Sequence, residues 1–559
     1  MTNKRFWLLA LGTILLGIVF RFWLLGQVPA SLYWDEQAIE LDAWSVAMTG
    51  LDWHGQPWWQ MIYASYGDFK LPVYIWFASL SVKLFGATYW AVRLPSAIAG
   101  VFSLVLAGLL IKDLIRLFNC KLDLFAKRVL IWSGLLIAST SFWGIHFSHV
   151  GFEGHLGQFL MSLCIWLLIK AWLWTKPQKK IKLYFYLGLA GVTGALSILT
   201  YYSVRFVLPS LVVVATFLLG MMQKKLSRPQ ILSSFIVLCF VLAAVLVFNA
   251  SPLAGENAQI RLSTASVLSS DQHILRANQI QAIFSQSLIS RVLYHRETFR
   301  AEQIFRNMTA HLTPDFLYLS GDANLRHGTG EQGLMSIVLM PFGILGIWYL
   351  WKVNKSLLIF LIGWWAVALL PASIPQLVPH ALRSLNAWMP MVLMHAFGLF
   401  FLWQSRYHIW FWLVAGLLIL NTCVFMYEYQ TQYSLDSSAD FQLGYDQTAK
   451  YVASQQNDFT KIWVIPFDGR WFVWLLSAQN QPPTLQPELF RDKYQISRVA
   501  NVYLQTPTCD DVHFDQDLVV GRQHEIDMLM HDCQIANPIY VNVTSQIDLS
   551  VVAIRLPAK

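Results

Sequence analysis

The sequence predicts a polytopic α-helical membrane protein with a small α/β domain towards its C-terminal end, and three observations lead to this fold class. The 559 residues are 56% hydrophobic and only 13% charged, which is unlike an ordinary soluble domain. Apolar runs near the length of about 20 residues that crosses a bilayer recur as far as Tyr427. Beyond Tyr427 the hydrophobic periodicity changes to that of short helices and strands.

Eleven apolar runs predict about eleven transmembrane helices. The first follows Lys4 and Arg5 and has no small-residue cleavage site, so we expect a retained helix and not a removed signal peptide. The predicted spans cover residues 6–26, 92–111, 129–147, 156–174, 184–201, 206–222, 231–249, 333–351, 356–371, 385–403 and 409–427.

Positive charge in the short loops predicts the orientation of these helices. Lys and Arg cluster at 112–128, 176–182 and 224–228, and Lys352 with Lys355 and then Arg406 mark two further loops. The positive-inside rule assigns such loops to the cytoplasm, together with the N-terminus. The loops 27–90 and 250–332 and the C-terminal region then lie outside. This predicts a multi-pass protein of the inner (plasma) membrane. The net charge of +8 follows from this topology and does not indicate nucleic-acid binding.

The orientation depends on the short apolar segment Leu71–Gly86. It starts at Pro72 and contains Lys83, so we expect a helix that lies in the outer interface without crossing the membrane. A crossing here would place Glu153 on the inner side.

The outer stretch 250–332 is too long for a connecting turn. Loops of this length without obvious regular structure are usually functional or disordered. The amphipathic run Ile289–Phe305 predicts a surface helix, and Asp315–Gly330 is rich in Gly, Asp and Asn, which predicts turns.

The chain therefore divides into a membrane domain at 1–430 and an extracytoplasmic α/β domain at 431–559, which could recognise substrate or cap the membrane face. Cys509 and Cys533 lie in this outer region, where a disulfide could persist, although the sequence does not show whether they are bonded. The segments that predict regular structure are a helix at Tyr445–Ala453 and strands at Lys461–Phe467, Ile539–Val543 and Leu549–Ile554.

An acidic pair, Asp35-Glu36, closely follows the first apolar run. Carboxylates at a membrane boundary are costly unless they face water, a partner or a substrate. The pair therefore indicates a site. The structural alternative is a helix start, because Asp35 or Ser31 could cap a short surface helix.

Further polar side chains fall on the same predicted outer face. They are Asp68, Lys70, His149, Glu153, Arg205, His380 and Arg383. Each has a structural alternative, such as headgroup anchoring for Lys70 and Arg383. As a set they suit transfer of a group from a lipid phosphate, because a carboxylate can accept the proton of an attacking hydroxyl and cations can hold the phosphate.

Several segments of the chain resemble the GT-C superfamily of membrane glycosyltransferases, most closely the branch of protein O-mannosyltransferases and bacterial aminoarabinose transferases. The resemblance begins with Asp35-Glu36 and covers roughly residues 1–430. The other segments that carry it are Gly67–Tyr74, Trp90–Gly100, Tyr201–Pro209, Gly321–Arg326 and His380–Leu385.

The resemblance implies a GT-C fold, a dolichyl- or undecaprenyl-phosphate-linked sugar donor, an acceptor on the outer side and inversion at the anomeric carbon. Asp35 matches the family's first-loop carboxylate, the general base, and Lys70 matches the lysine that contacts the lipid phosphate. Glu153 matches a second acidic residue after the third span. The full candidate set is Asp35, Glu36 and Glu153 as catalytic carboxylates, Lys70, Arg205, His380 and Arg383 as donor ligands, and Asp68, His149, Asp322, Asn324 and Arg326 as further site residues.

The match departs from the family pattern near the lysine and before Glu153. Leu71 replaces the first proline of the family's Lys-Pro-Pro motif, and Phe69 replaces the acidic residue that often precedes the lysine. Asp68 is the candidate to take over that acidic role. The turn before Glu153 lacks the family's arginine, and His149 is a weak substitute.

Two other classes remain open from the sequence: a transporter or flippase of lipid or saccharide, and a non-catalytic envelope assembly protein. Transporters place charges near the bilayer midplane and often contain inverted repeats, neither of which is evident here. The sequence contains no glycine-rich phosphate-binding loop that would indicate a nucleotide-dependent protein. Cofactors are not established, and a divalent metal beside Asp35 and Glu153 is a candidate. The expected partners are the polyprenyl-phosphate-sugar donor, membrane lipid and an acceptor glycan, lipid or protein.

Overall fold

The computed structural model describes residues 3–65, 68–174, 180–223, 227–265, 267, 271–284, 288–404, 408–465, 471–479, 498–511, 516–535, 539–544 and 551–555. Gly67, Lys176, Lys179, Lys224 and Lys225 lie outside these residues. The chain forms two compact units. Unit 1 comprises Met1–Trp23, Leu71–Tyr74 and Pro95–Tyr429, and unit 2 comprises Leu24–Lys70, Ile75–Leu94 and Gln430–Lys559.

The described residues are mainly helical. In chain order the α-helices are α1 (Asn3–Phe22), α2 (Trp34–Thr49), α3 (Pro72–Phe85), α4 (Tyr89–Leu117), α5 (Leu124–Thr140), α6 (Phe142–His149), α7 (Glu153–Leu173), α8 (Lys180–Ile198), α9 (Val204–Gln223), α10 (Arg228–Asn249), α11 (Ala254–Ala265), α12 (Gln272–Ile283), α13 (Leu288–Leu293), α14 (Arg296–Ala310), α15 (Met340–Val353), α16 (Lys355–Ser373), α17 (Ala381–Ser384), α18 (Trp388–Gln404), α19 (His408–Asp436), α20 (Leu443–Gln455), α21 (Phe472–Ala478) and α22 (Gln523–Asp532).

Nine helices within the described ranges are long and apolar enough to cross a membrane, and α5 with α6 forms a tenth candidate that bends by 49°. All eleven predicted runs form apolar helices. The eighth run in chain order, Ile337–Val353, is shorter than the others and is only about 25 Å long at 1.5 Å per residue. The predicted count of eleven full spans is therefore replaced by nine or ten. The chain is a multi-pass membrane protein.

Ser141 makes the bend between α5 and α6. Its hydroxyl accepts the Gly144 N–H at 3.4 Å as the N-cap of α6, so the backbone leaves α5 and starts a new helix. The same hydroxyl accepts the indole N–H of Trp388 at 2.9 Å. This fixes the direction of α6, which carries His146 and His149.

Unit 2 contains a six-stranded mixed sheet and a two-stranded hairpin. The strands are β1 (Tyr63–Ala64), β2 (Phe69–Lys70), β3 (Lys461–Val464), β4 (Arg498–Val499), β5 (Val502–Tyr503), β6 (Asp517–Arg522), β7 (Ile539–Asn542) and β8 (Val551–Arg555). The larger sheet has the order β4-β5-β3-β6-β8-β7, in which β3 runs parallel to β5 and β6 and the other pairs are antiparallel. The helix predicted at Tyr445–Ala453 and the three predicted strands are confirmed over their described residues.

The core of this sheet includes residues from the segment of unit 2 that follows α1. Ala38 and Leu41 of α2 and Trp53 pack in one buried cluster with Val464 and Val520. Cys509 and Cys533 form a disulfide in the same unit, which answers the question that the sequence left open.

The polar stretch 250–332 differs from its prediction. Its described part forms helices α11 to α14 and a short π-helix at Asp315–Leu319, so it is not an irregular loop. The surface helix predicted at Ile289–Phe305 is two helices, α13 and α14, because His295 leaves the helical path and its Nδ1 accepts the Glu297 N–H as a new N-cap. The turns predicted at Asp315–Gly330 are present after Leu319.

Candidate functional site

Asp35 and Lys70 form a close ion pair in unit 2. Lys70 Nζ lies 2.6 Å from Asp35 Oδ1 and 3.6 Å from Asp68 Oδ2. The lysine side chain is buried at 5% exposure, whereas Asp35 and Asp68 are 37% and 41% exposed. Antiparallel pairing of Lys70 with Tyr63 fixes the lysine, and the first turn of α2 presents Asp35. We call these three residues the carboxylate–lysine cluster.

Glu36 has a different environment from its neighbour Asp35. Its carboxylate is fully buried and accepts hydrogen bonds from both Nε and Nη2 of Arg93, at 2.9 and 3.2 Å. It also accepts the Tyr33 N–H at 3.2 Å at the start of α2. A bidentate pair of this kind fixes the geometry of both side chains, so a positioning role for Glu36 is an alternative to the predicted catalytic role.

Arg93 was not among the predicted site residues, although it lies in the segment Trp90–Gly100 that carries the family resemblance. Its guanidinium is fully buried and also donates to the carbonyl oxygens of Pro29 and Ser31 at 2.8 and 2.6 Å. An arginine in an apolar run is the signal that could have identified it, because such a charge requires a buried partner.

A second group of polar residues lies in unit 1, around the turn that starts α17. Asp322 Oδ2 accepts the Ala381 N–H at 2.7 Å, and the Ala381 carbonyl accepts the indole N–H of Trp143 at 3.1 Å. Gly321 has a φ of +78°, and a Cβ there would lie 2.5 Å from the Gln332 carbonyl oxygen. The chain therefore requires glycine next to Asp322.

Three histidines surround this turn, and we call His311, His327 and His380 the histidine cluster. The His327 and His380 rings lie 4.3 Å apart between centroids. His311 Nδ1 lies 2.8 Å from the Asn307 carbonyl and His311 Nε2 accepts the His380 N–H at 3.2 Å, which sets the His311 proton on Nδ1. Asn307 is itself buried, and its side-chain amide donates to the carbonyl oxygens of Ser373 and Pro375.

Burial keeps these imidazoles neutral. Burial, with a smaller effect of Arg383, lowers the pKa of His380 to about 3. Burial also lowers the pKa of His327 well below its usual value, with His380 and Arg326 adding to the effect. For Asp322, burial raises the carboxyl pKa while the Ala381 N–H opposes that rise.

Asn324 and Arg326 complete this group. Asn324 Oδ1 accepts both the backbone N–H and Nε–H of Arg326, at 3.1 and 2.9 Å. The Arg326 carbonyl lies 3.0 Å from His146 Nε2, and His146 Nδ1 lies 3.1 Å from the Tyr429 hydroxyl. His146 and Tyr429 were not predicted as site residues.

The remaining predicted residues of unit 1 lie at helix ends. Glu153 is half-buried in the first turn of α7, and His149 is the last residue of α6, with its ring 5.3 Å from that of Tyr429. The guanidinium of Arg205 lies over the rings of Phe248 and Tyr202, at 3.4 and 4.8 Å from the centroids. This stacking supports an anchoring role for Arg205.

Asp322, His327 and His380 could each offer one ligand atom to a metal, and these atoms lie within 4.8 Å of one another. Within the described residues this group includes neither Asp35 nor Glu153, where the sequence suggested a metal. These three residues are a candidate metal site, and two of their ligand atoms already accept backbone hydrogen bonds. His380 Nδ1 already accepts the Arg383 N–H, and Asp322 Oδ2 is held by Ala381. Nearby arginines also oppose a dication.

The structure thus brings together two sets of predicted residues, one in each unit. Asp35, Asp68 and Lys70 meet in unit 2, and Asp322, His380, Asn324 and Arg326 belong to one network in unit 1. A shared site of Asp35 and Glu153 stays a prediction.

Comparison with known proteins identifies the fold. No family model and no curated protein matches the sequence. The structure of ArnT from Cupriavidus metallidurans in the apo state superposes with a TM-score of 0.53 at 11% identity, covering 99% of this chain and 98% of ArnT. ArnT bound to undecaprenyl phosphate gives a TM-score of 0.52 at 10% identity, with the same coverage of both chains.

An oligosaccharyltransferase from Archaeoglobus fulgidus, tethered to an acceptor peptide, is also similar. Its TM-score is 0.51 at 10% identity over 86% of this chain. This chain spans 64% of the length of that protein. All of these proteins are GT-C glycosyltransferases. The chain therefore has the GT-C membrane fold.

Proposed function

We propose that this protein is a membrane glycosyltransferase. It moves a sugar from a polyprenyl-phosphate-linked donor to an acceptor hydroxyl on the outer side of the membrane, with inversion at the anomeric carbon. The observation that carries the proposal is the carboxylate–lysine cluster, which presents a partly exposed carboxylate beside a buried ammonium in a chain with the GT-C fold.

In this mechanism Asp35 acts as the general base. Its carboxylate is partly open to solvent, so an acceptor hydroxyl can reach it and donate its proton. The acceptor oxygen then attacks the anomeric carbon from the side opposite the phosphate. The bond from that carbon to the phosphate oxygen breaks, and the phosphate leaves with the bonding electron pair. One displacement of this kind inverts the anomeric carbon.

Lys70 would stabilise the departing phosphate. Its Nζ already lies beside two carboxylates, so a bound phosphate competes for one of the ammonium protons. Lys70 also holds Asp35 at 2.6 Å, and this contact keeps the base oriented before the acceptor arrives. An ammonium that changes partner as charge develops on the leaving group favours the transition state over the ground state.

The residues around α17 form a separate cationic group within unit 1 that could itself bind an anionic ligand. His380 is neutral, so its imidazole can contribute a hydrogen bond but not a positive charge. Arg326 and Arg383 supply the charge in this region, and a guanidinium suits a phosphate through two parallel hydrogen bonds. Undecaprenyl phosphate in ArnT and dolichol phosphate in the archaeal oligosaccharyltransferase AglB from Archaeoglobus fulgidus are the ligands of two similar structures, which is consistent with a polyprenyl phosphate here.

The test uses membranes that contain the full chain, a labelled polyprenyl-phosphate-sugar and mass analysis of the products. We expect a product heavier than its acceptor by one sugar residue. Asp35→Asn should insert normally and reduce the transfer rate by a factor on the order of 10²–10⁴. Asp532→Asn, at a carboxylate that is 74% exposed, is the matched control and should keep full activity.

Two outcomes would contradict the proposal. Near-normal turnover by Asp35→Asn would make this carboxylate structural and transfer the role of base to another residue. Movement of intact labelled donor across the membrane, with no new product, would support the alternative of a lipid or saccharide flippase.

A further inference from the structure

A cavity of about 750 Å³ lies in unit 1 between α1, α4 and α5. Its walls are apolar, with Phe6, Ile14, Leu109 and Ile131 among the lining side chains. This volume is in the range of cavities that hold small organic ligands. The mechanism proposed above uses none of these residues.

The rim of this cavity is strongly basic. Five cationic side chains line it: Lys112, Arg116, Lys121, Lys127 and Arg128. Of the residues that the structure describes, no carboxylate lines the cavity. The nearest acidic residues in sequence are engaged elsewhere, since Asp113 contacts Lys170 at 3.3 Å and Asp123 accepts the Ala126 N–H at the start of α5.

We infer that this cavity binds an anionic glycerophospholipid from the surrounding leaflet. Apolar walls below a basic rim match the two chemical parts of such a lipid, because acyl chains require apolar contact and a phosphate headgroup requires cations. Basic pockets between transmembrane helices are a recurring way to hold anionic headgroups. The N-terminal part of α1 and the loop between α4 and α5 both line the cavity, so the bound lipid holds these segments together.

The rim belongs to the loop that the positive-inside rule assigns to the cytoplasmic side, away from the outer side where the sugar donor is proposed to bind. We therefore assign the occupant to the diacyl lipids of that leaflet. A polyprenyl phosphate has the same combination of phosphate and apolar chain, and the experiment separates the two. The inference does not depend on the glycosyltransferase activity.

The experiment measures lipid binding to the purified full chain in neutral detergent. Phosphatidylglycerol, phosphatidylcholine and undecaprenyl phosphate are titrated separately, and binding is followed by thermal denaturation and native mass spectrometry. We expect phosphatidylglycerol to raise the denaturation midpoint saturably, with an effect that 0.5 M NaCl weakens. Phosphatidylcholine should have little effect, because its headgroup carries no net charge.

Two triple variants test the location. Lys112→Gln/Arg116→Gln/Lys127→Gln should weaken phosphatidylglycerol binding by about tenfold or more, since each cation contributes to attraction of the headgroup. Lys182→Gln/Lys352→Gln/Lys355→Gln removes the same charge from other predicted cytoplasmic loops and should bind like the wild type. If the first variant does not fold, Ile14→Trp, which fills the apolar wall without changing charge, should give the same loss.

Three results would overturn the inference. If phosphatidylcholine bound as tightly as phosphatidylglycerol, charge would not determine binding. If both triple variants lost binding equally, the cavity would not be the binding site. Tighter binding of undecaprenyl phosphate than of phosphatidylglycerol, with loss in the first variant only, would assign the cavity to the polyprenyl lipid.

Discussion

Removal of either partner of the buried pair Glu36–Arg93 should destabilise the protein strongly. Both side chains are 0% exposed, and the two hydrogen bonds between them are 2.9 and 3.2 Å long. Breaking such a pair leaves an uncompensated charge in a medium of low dielectric constant, which typically costs about 3–5 kcal/mol. Since Arg93 also satisfies two backbone carbonyls, Arg93→Met should lie at the upper end of this range.

Glu36→Gln should lie at the lower end, because the amide oxygen can still accept the Arg93 Nε–H. The double variant Glu36→Gln/Arg93→Met should lose less unfolding free energy than the sum of the two single losses, because no buried charge remains. Lys450→Met is the matched control. Lys450 pairs with Asp446 at 2.7 Å but is 58% exposed, so its loss should cost under about 1 kcal/mol.

The measurement is the denaturation midpoint in detergent micelles, with proteolysis of the segment 24–70 as a local probe. Midpoints should fall in the order wild type, Lys450→Met, Glu36→Gln and Arg93→Met. Two results would refute the reasoning. Additive single effects would show that the pair is not coupled. A Glu36→Gln variant with wild-type stability and no turnover would make Glu36 catalytic rather than positioning.

Three further predictions follow from the structure. Lys70→Ala should raise the apparent KM for the lipid donor and lower kcat, because its ammonium contacts Asp35 and is proposed to bind phosphate; normal donor kinetics would remove this assignment. Glu40 is buried and burial raises its pKa to about 7, so the folded state binds a proton that the unfolded state releases above its ordinary pKa near 4.5. Stability should therefore be greatest below about pH 4.5 and fall by about 3 kcal/mol as the pH rises to about 7, and Glu40→Gln should lose this dependence; an unchanged profile would refute it. A cysteine at Lys83 should react with an impermeant thiol reagent in intact cells, whereas one at Lys121 should react only in opened membranes, and a cytoplasmic Lys83 would overturn the orientation. The last test requires a background in which the free cysteines are replaced and the Cys509–Cys533 disulfide is kept. The free cysteines in the described residues are Cys120, Cys164, Cys239 and Cys423.

The sequence predicts the helices well because each apolar run is a local signal. A run of about 20 apolar residues specifies a membrane helix without reference to the rest of the chain. The errors lie where a single residue redirects the backbone. Ser141 divides one predicted span into two helices, and His295 divides the predicted surface helix. A side chain that caps a helix competes with continuation of the helix, and periodicity does not report that competition.

The candidate site was predicted residue by residue but not as contacts. Asp35 and Lys70 were both selected, and the structure places them in one ion pair. Their separation of 35 positions leaves no periodic trace that would predict the pairing. The same holds for Asp322 and Ala381, which are 59 positions apart. For the pair Glu36–Arg93, only one partner was predicted. The motif match selected the carboxylate, but its buried partner was not selected.

The C-terminal region gains a role that neither sequence alternative described. Trp34, directly before Asp35, packs its ring 4.9 Å from that of Trp474, and its N–H donates to Gln442 at 3.2 Å. Further along α2, Glu40 accepts the Ser477 hydroxyl at 2.9 Å. The helix that presents the candidate base is therefore held by residues more than 400 positions later in the chain. A general base must be fixed relative to its substrate to act efficiently. This packing supports a third role for the C-terminal region, which is to orient α2.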